Sequence, residues 1–138
     1  MAILLSSTFA NALLQHGGSA VSDQFGGGTL VVYSGSPPTG PNESLSGNTV
    51  LATFTFQPAT AWSAPSAGVQ TLDFVAQTVT ATATGTGTFY RVLNSGGTAL
   101  LQGTVGASGA DFNLSSVAIT SGDNVAITGT PTIAWTTT

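Results

Sequence analysis

Five carboxylates, one guanidinium and one imidazole are all this sequence offers for acid–base or metal chemistry: Asp23, Glu43, Asp73, Asp111, Asp123, Arg91 and His16. A zinc site needs several nitrogen or sulfur ligands, and the chain has no cysteine and no second histidine. His16 fits better at the last turn of a helix, where a partly positive side chain suits the exposed carbonyls. Serines are plentiful, but no Gly-x-Ser-x-Gly elbow occurs to set one up as a nucleophile. Two of the acids could pair for glycoside cleavage in principle. Asp111 and Asp123, however, stand in or beside turns, where an Asp side chain bonds its own backbone. The same two stretches fall short of the oxygen count a calcium loop needs. Gly26-Gly27-Gly28-Thr29 lacks the lysine of a phosphate loop, and Gly103-Thr104-Val105-Gly106 has the wrong spacing for a dinucleotide fingerprint. The expectation is a protein without catalytic residues, metal or cofactor.

Two further residue types bear on binding. Trp62, Tyr33, Tyr90 and Trp135 could stack on sugars, and Trp62 is the best placed because prolines bound its loop. The competing reading makes Trp62 a loop anchor against the core or a partner. Arg91 is the sole cation, and it is expected to pair with an acid across a strand or a subunit boundary, because an unpaired buried charge is costly.

Charged residues make up 4% of the chain, against roughly a quarter in an average soluble domain. No cluster of Lys or Arg exists to neutralise phosphates, which argues against nucleic acid and against an anionic membrane surface. No apolar run reaches the length of a bilayer span. The opening Met1-Ala2-Ile3-Leu4-Leu5 lacks a basic flank, and polar residues soon interrupt it, so it reads as mature protein rather than a secretion signal. The apolar fraction of 41% is too high for disorder. Yet 18 glycines and many small residues return little burial, so contact with sister subunits is expected to support the fold.

The chain divides into an N-terminal segment, residues 1–18, and a single β-sandwich domain, residues 19–138. Ser6 or Ser7 can cap a short helix. Leu5, Phe9 and Leu13 then form one apolar stripe, and Gly17-Gly18 stops it. Everything after this reads as strands between turns. Thr29 to Tyr33 is a strand. Ser34 to Gly47, with three prolines and three glycines, is a loop. Val50 to Phe56 alternates with period two. Pro58 to Gly68 is a second loop, and Thr71 to Ala76 begins another strand. From Thr78 to Thr88 every even position is Thr, while Val79, Ala81, Ala83, Gly85, Gly87 and Phe89 fill the odd ones. A strand sends the two sets to opposite faces, one a hydroxyl ladder and the other nearly flat and open to close approach. Asn94-Ser95-Gly96-Gly97 joins Thr88–Leu93 to Thr98–Val105 as a hairpin, and residues 113–128 spell a second one around Ser121-Gly122-Asp123-Asn124. A last strand is expected from Thr132. Short strands at this spacing predict an all-β fold, an antiparallel sandwich of jelly-roll type with one short N-terminal helix.

Several stretches resemble a family of small head proteins of tailed bacteriophages. They are Leu30 to Pro38, Thr49 to Phe56 with Ala61-Trp62-Ser63-Ala64, Ala81 to Val92, and Gly97 to Gly106 with Ala110 to Leu114. The resemblance runs from about Leu5 to Thr128. It implies a decoration, or cement, protein: a trimer on the outer surface of the virion that clamps neighbouring major capsid subunits, without catalytic residues. On that reading Leu5, Phe9 and Leu13, or the loops around Pro37 and Trp62, contact the capsid. Strand faces including Thr82 and Thr84, with Arg91, form subunit contacts. The alternative is a carbohydrate- or receptor-binding β-module of a tail fibre. A β-sandwich enzyme is the third possibility, discounted for want of acid–base groups.

Overall fold

The computed structural model describes residues 3–9 and 20–134. Among them the strands are β1 (Leu4–Leu5), β2 (Thr29–Tyr33), β3 (Val50–Thr55), β4 (Val69–Thr71), β5 (Thr78–Thr80), β6 (Gly85–Thr86), β7 (Phe89–Leu93), β8 (Ala99–Gly106), β9 (Phe112–Asn113), β10 (Ala118–Ile119), β11 (Asn124–Ala126) and β12 (Thr132–Ala134). The β-branched and aromatic runs make the longest of them, as such side chains pack well on a pleated surface. They assemble one main sheet in the order β1-β8-β7-β2-β3, with β9 added in parallel to β8. The expected β7–β8 hairpin is present, closed by the Asn94–Gly97 turn. Asn94 Oδ1 accepts from the amides of Gly96 and Thr98, each at 3.0 Å, and Gly97 takes the positive φ that the turn requires.

The remaining strands form three two-stranded antiparallel ribbons: β5 with β11, β6 with β10, and β4 with β12. The fold is therefore all-β and predominantly antiparallel. Among the described residues the second layer consists of these ribbons and the loops between them, not of a four-stranded jelly-roll sheet. The second expected hairpin opens for the same reason. Its arms meet only near Leu114 and Ile127, then part to pair with β6 and β5. Residues 81–84 enter the gap: Ala81 N donates to Asp123 O, and Gly122 N donates to Ala81 O.

The Thr78–Thr88 alternation is real. Thr78, Thr80, Thr82, Thr84 and Thr86 are exposed, whereas Ala81, Gly87 and Phe89 are buried. The flat face, however, is closed by the chain itself. A Cβ on Gly87 would lie 3.2 Å from Val32 Cγ1, and one on Gly85 would lie 3.2 Å from a methyl of Leu51. Those small residues let the ribbon settle on β2 and β3, so the face is not open to a neighbouring subunit.

The N-terminal segment begins differently from expectation. Leu5 belongs to β1, opposite Leu101, and is exposed rather than part of a helical stripe. Ser6 follows as the cap, its Oγ accepting from Phe9 N at 3.1 Å, and residues 7–9 are helical. Leu13, His16 and Gly17-Gly18 lie outside the described residues. A helix not expected from the sequence spans Ala20–Phe25. Val21 and Phe25 stand one turn apart on its buried side. Gly27, at φ 71°, ends it. Gly28 then passes so near β7 that a Cβ there would fall 2.2 Å from Leu93 O.

All 7 phenylalanines are buried. Phe9, Phe25, Phe54, Phe56, Phe74 and Phe112 join Leu30, Val32, Tyr90, Val92, Leu101 and Ile119 in one core between the main sheet and the ribbons. Large rings carry the burial that Ala, Gly and Thr cannot, each worth several times a methyl group. No helix of the described residues is long and apolar enough to cross a membrane.

Candidate functional site

The main sheet has a second face, turned away from this core. Val31, Tyr33 and Phe89 form a small separate cluster there, with Tyr33 and Phe89 stacked at 5.1 Å. Across the same face β1, β8, β7, β2 and β3 place Leu4, Gln102, Arg91, Val31 and Thr53 in one cross-strand row. The Ser34–Thr49 loop folds back over this row as a strap. Arg91 and Gln102 hold it, and both are about 5% exposed or less. Arg91 Nε donates to Gln102 Oε1 at 3.0 Å, while its Nη2 donates to Gly40 O at 3.0 Å and Glu43 O at 2.8 Å. Gln102 Nε2 donates to Pro38 O at 2.8 Å. Asn48 fastens the base of the strap, donating to Ser34 O and Ser36 O.

Arg91 thus corrects its expectation. It answers three carbonyl groups, two of them in the strap and one on a side chain, instead of an acid. Burial pushes its pKa down, and the proximity of Tyr33 and Glu43 works the other way. Hydrogen bonds from a charged donor to backbone carbonyls are among the stronger ones, and they satisfy a guanidinium that would be costly to bury bare. Gln102 and Asn48 were not singled out from the sequence. The β7–β8 hairpin offered a signal, since it sets two polar residues, Arg91 and Gln102, opposite one another in otherwise apolar strands.

The strap is held by its main chain, so its side chains point elsewhere. Pro37, Thr39, Asn42, Glu43 and Leu45 are exposed, while Pro41 is buried. Beneath its edge, Leu4, Pro37, Pro38, Phe89, Gln102 and Thr104 line a largely apolar cleft of about 150 Å³. Leu5 borders a second, more polar recess against Thr39, Pro41 and Glu43. Leu5 and Pro37 therefore flank the same strap, and Arg91 lies behind it.

The other expected contact residues scatter. Phe9 is fully buried against Phe25, with ring centroids 5.1 Å apart, and can meet no partner. Trp62 is a half-buried anchor: it packs on Phe25 and Phe56, and its Nε1 donates to Gln57 O at 2.8 Å. Tyr33 and Tyr90 are buried and Trp135 lies outside the described residues, so the described aromatics form no exposed stacking platform. Thr82 and Thr84 are exposed on the ribbon layer, in a run whose Gly85 and Thr88 pass the base of the strap at Ser34 and Gly35. Thr82 N closes on Leu51 O at 2.9 Å, and Thr84 Oγ1 accepts from Ser121 N at 2.9 Å.

Three of the acids serve local structure. Asp73 Oδ2 accepts from Ser63 N and Ser63 Oγ, and Asp123 Oδ2 accepts from Thr120 N. Asp111 Oδ2 accepts from Thr104 N and Oγ1, filling the stretch of β8 edge between β1 and β9. No cluster of three or more His, Cys, Asp or Glu occurs among the described residues. No buried side-chain polar atom among them lacks a hydrogen-bond partner. Compared with known proteins, the chain matches no family model, no curated protein and no solved structure.

Proposed function

We propose that this is a virion structural protein of a tailed bacteriophage, which binds the outside of the capsid and braces contacts between major capsid subunits. One observation carries the reading. Asp73, Asp111 and Asp123 are engaged in bonding backbone, and the sole cation holds a loop, which leaves a surface of hydroxyls, amides and a few apolar side chains with few charges, the exposed Asp23 and Glu43 among them. Interface centres are poor in charge, and a surface of this kind suits many modest contacts repeated over a lattice. Action by binding alone, as a homotrimer on the capsid exterior, follows from the family resemblance of the strands and loops. Closed symmetric oligomers reuse one patch, which suits action through many repeated contacts.

The test is to add purified protein to undecorated heads. Stoichiometric binding with a rise in the temperature at which heads disrupt is the expected result. Heads that take up none of it, and gain no stability, would end the proposal. Sedimentation at micromolar concentration tests the trimer separately, and a stable monomer would count against it.

A further inference from the structure

We propose that the strap, residues 35–47, is the element that meets the capsid subunit, and that Arg91 and Gln102 are positioning residues that hold it in its binding shape. Naming the capsid as partner rests on the function proposed above; the positioning role does not. Three observations lead here. First, the strap is fixed mainly through main-chain carbonyls at Pro38, Gly40 and Glu43, with one long side-chain contact, Asn42 Oδ1 accepting from Ser7 N at 3.4 Å. Second, most of those side chains are exposed, with Pro38 half-buried and Pro41 buried, and they include an apolar Leu45 beside uncharged Thr39 and Asn42. Third, the two donors are buried under it on β7 and β8, two strands in the interior of the main sheet, which gives the loop a rigid base.

A loop ordered before binding loses less entropy when it docks, so its contacts contribute more of their gross energy to affinity. Three prolines within residues 37–41 restrict the unbound chain in the same direction. The strap carries one charge, Glu43, so the matching surface is a largely uncharged protein face rather than a polyanion or a phosphate headgroup.

The experiment measures backbone order and binding on the same proteins. In the wild type, amide order parameters for residues 39–45 should sit near the rigid value of about 0.85. Arg91→Met should drop them below about 0.6 while the β2, β7 and β8 amides stay rigid. Arg91→Lys, which keeps a donor, should restore them in part. Gln102→Leu serves as the second variant where Arg91→Met does not fold, with loss of order centred on the amides of Thr39 and Gly40, next to Pro38 O. Each loosened variant should bind undecorated heads at least tenfold more weakly. Leu45→Arg should also lose binding, but with unchanged order. A strap that stays rigid in folded Arg91→Met and Gln102→Leu overturns the positioning role. Wild-type binding by Leu45→Arg overturns the strap as the contact. Heads that ignore the wild type remove the capsid partner, and the order parameters still decide the role of Arg91 and Gln102.

Discussion

The two faces of the main sheet are sealed by different physics. On one, β2, β3, β7 and β8 press Leu30, Val32, Phe54, Tyr90 and Leu101 into a core rich in aromatic rings. On the other, a small Val31–Tyr33–Phe89 cluster is overlaid by a strap that Arg91 and Gln102 hold by hydrogen bonds. Ring packing is strong and non-directional, so it fixes that the sheet is covered. Hydrogen bonds are weaker in net terms but directional, so they fix the path of one loop. Stability should therefore reside on the first face and local shape on the second.

The largest effect should come from the aromatic side. Phe54→Ala removes a fully buried ring that contacts Phe74 and Phe112, and should cost about 3–5 kcal/mol in urea unfolding. A loss below about 1 kcal/mol would mean that this core is not the main source of stability. Arg91→Met leaves strap carbonyls without their donor and should cost about 2 kcal/mol. Its near-ultraviolet circular dichroism should keep the signal of the packed rings. Equal losses from the two substitutions would erase the contrast between the faces.

Alkali touches both faces through tyrosine. Burial raises the pKa of Tyr33 and, more strongly, of Tyr90, where nearby Asp111 adds to the effect. A raised folded-state pKa means stability is intact below about pH 10, the unfolded value, and falls as the unfolded chain ionises above it. Tyr90 alone should lower stability by about 1.4 kcal/mol at one pH unit past that point, read by urea midpoints between pH 9 and 11.5. Tyr90→Phe should flatten that decline. The smallest effect lies away from both faces. Ala67 holds φ 51° in the tight turn between Ser66 and Val69. Ala67→Asn, which tolerates that region better, should raise stability by about 0.5–1 kcal/mol, visible as a higher Tm.

Much of the architecture could be read along the chain because its signals are local. Alternation from Ala52 to Phe56, the Thr ladder facing outward, the Asn94–Gly97 turn and the Ser6 cap each depend on a few neighbouring residues, whereas Val50 is exposed and Leu51 buried against the period-two pattern. The Ala20–Phe25 helix escaped because it is one and a half turns long, and only its seat against Phe9, Phe56 and Trp62 makes it stable. Leu5 misled for a related reason: its four-residue step to Phe9 suits a helix, but β8 offered it a strand partner.

By itself, then, the sequence determined an all-β chain with a charge-poor surface, because side-chain periodicity and composition act residue by residue. Only the tertiary structure decided that residues 113–128 part to receive the threonine run, that Trp62 turns inward, and that the lone arginine clasps a loop. Each of those rests on groups tens of positions apart, such as Arg91 and Gly40, whose meeting depends on the closing of the whole sheet.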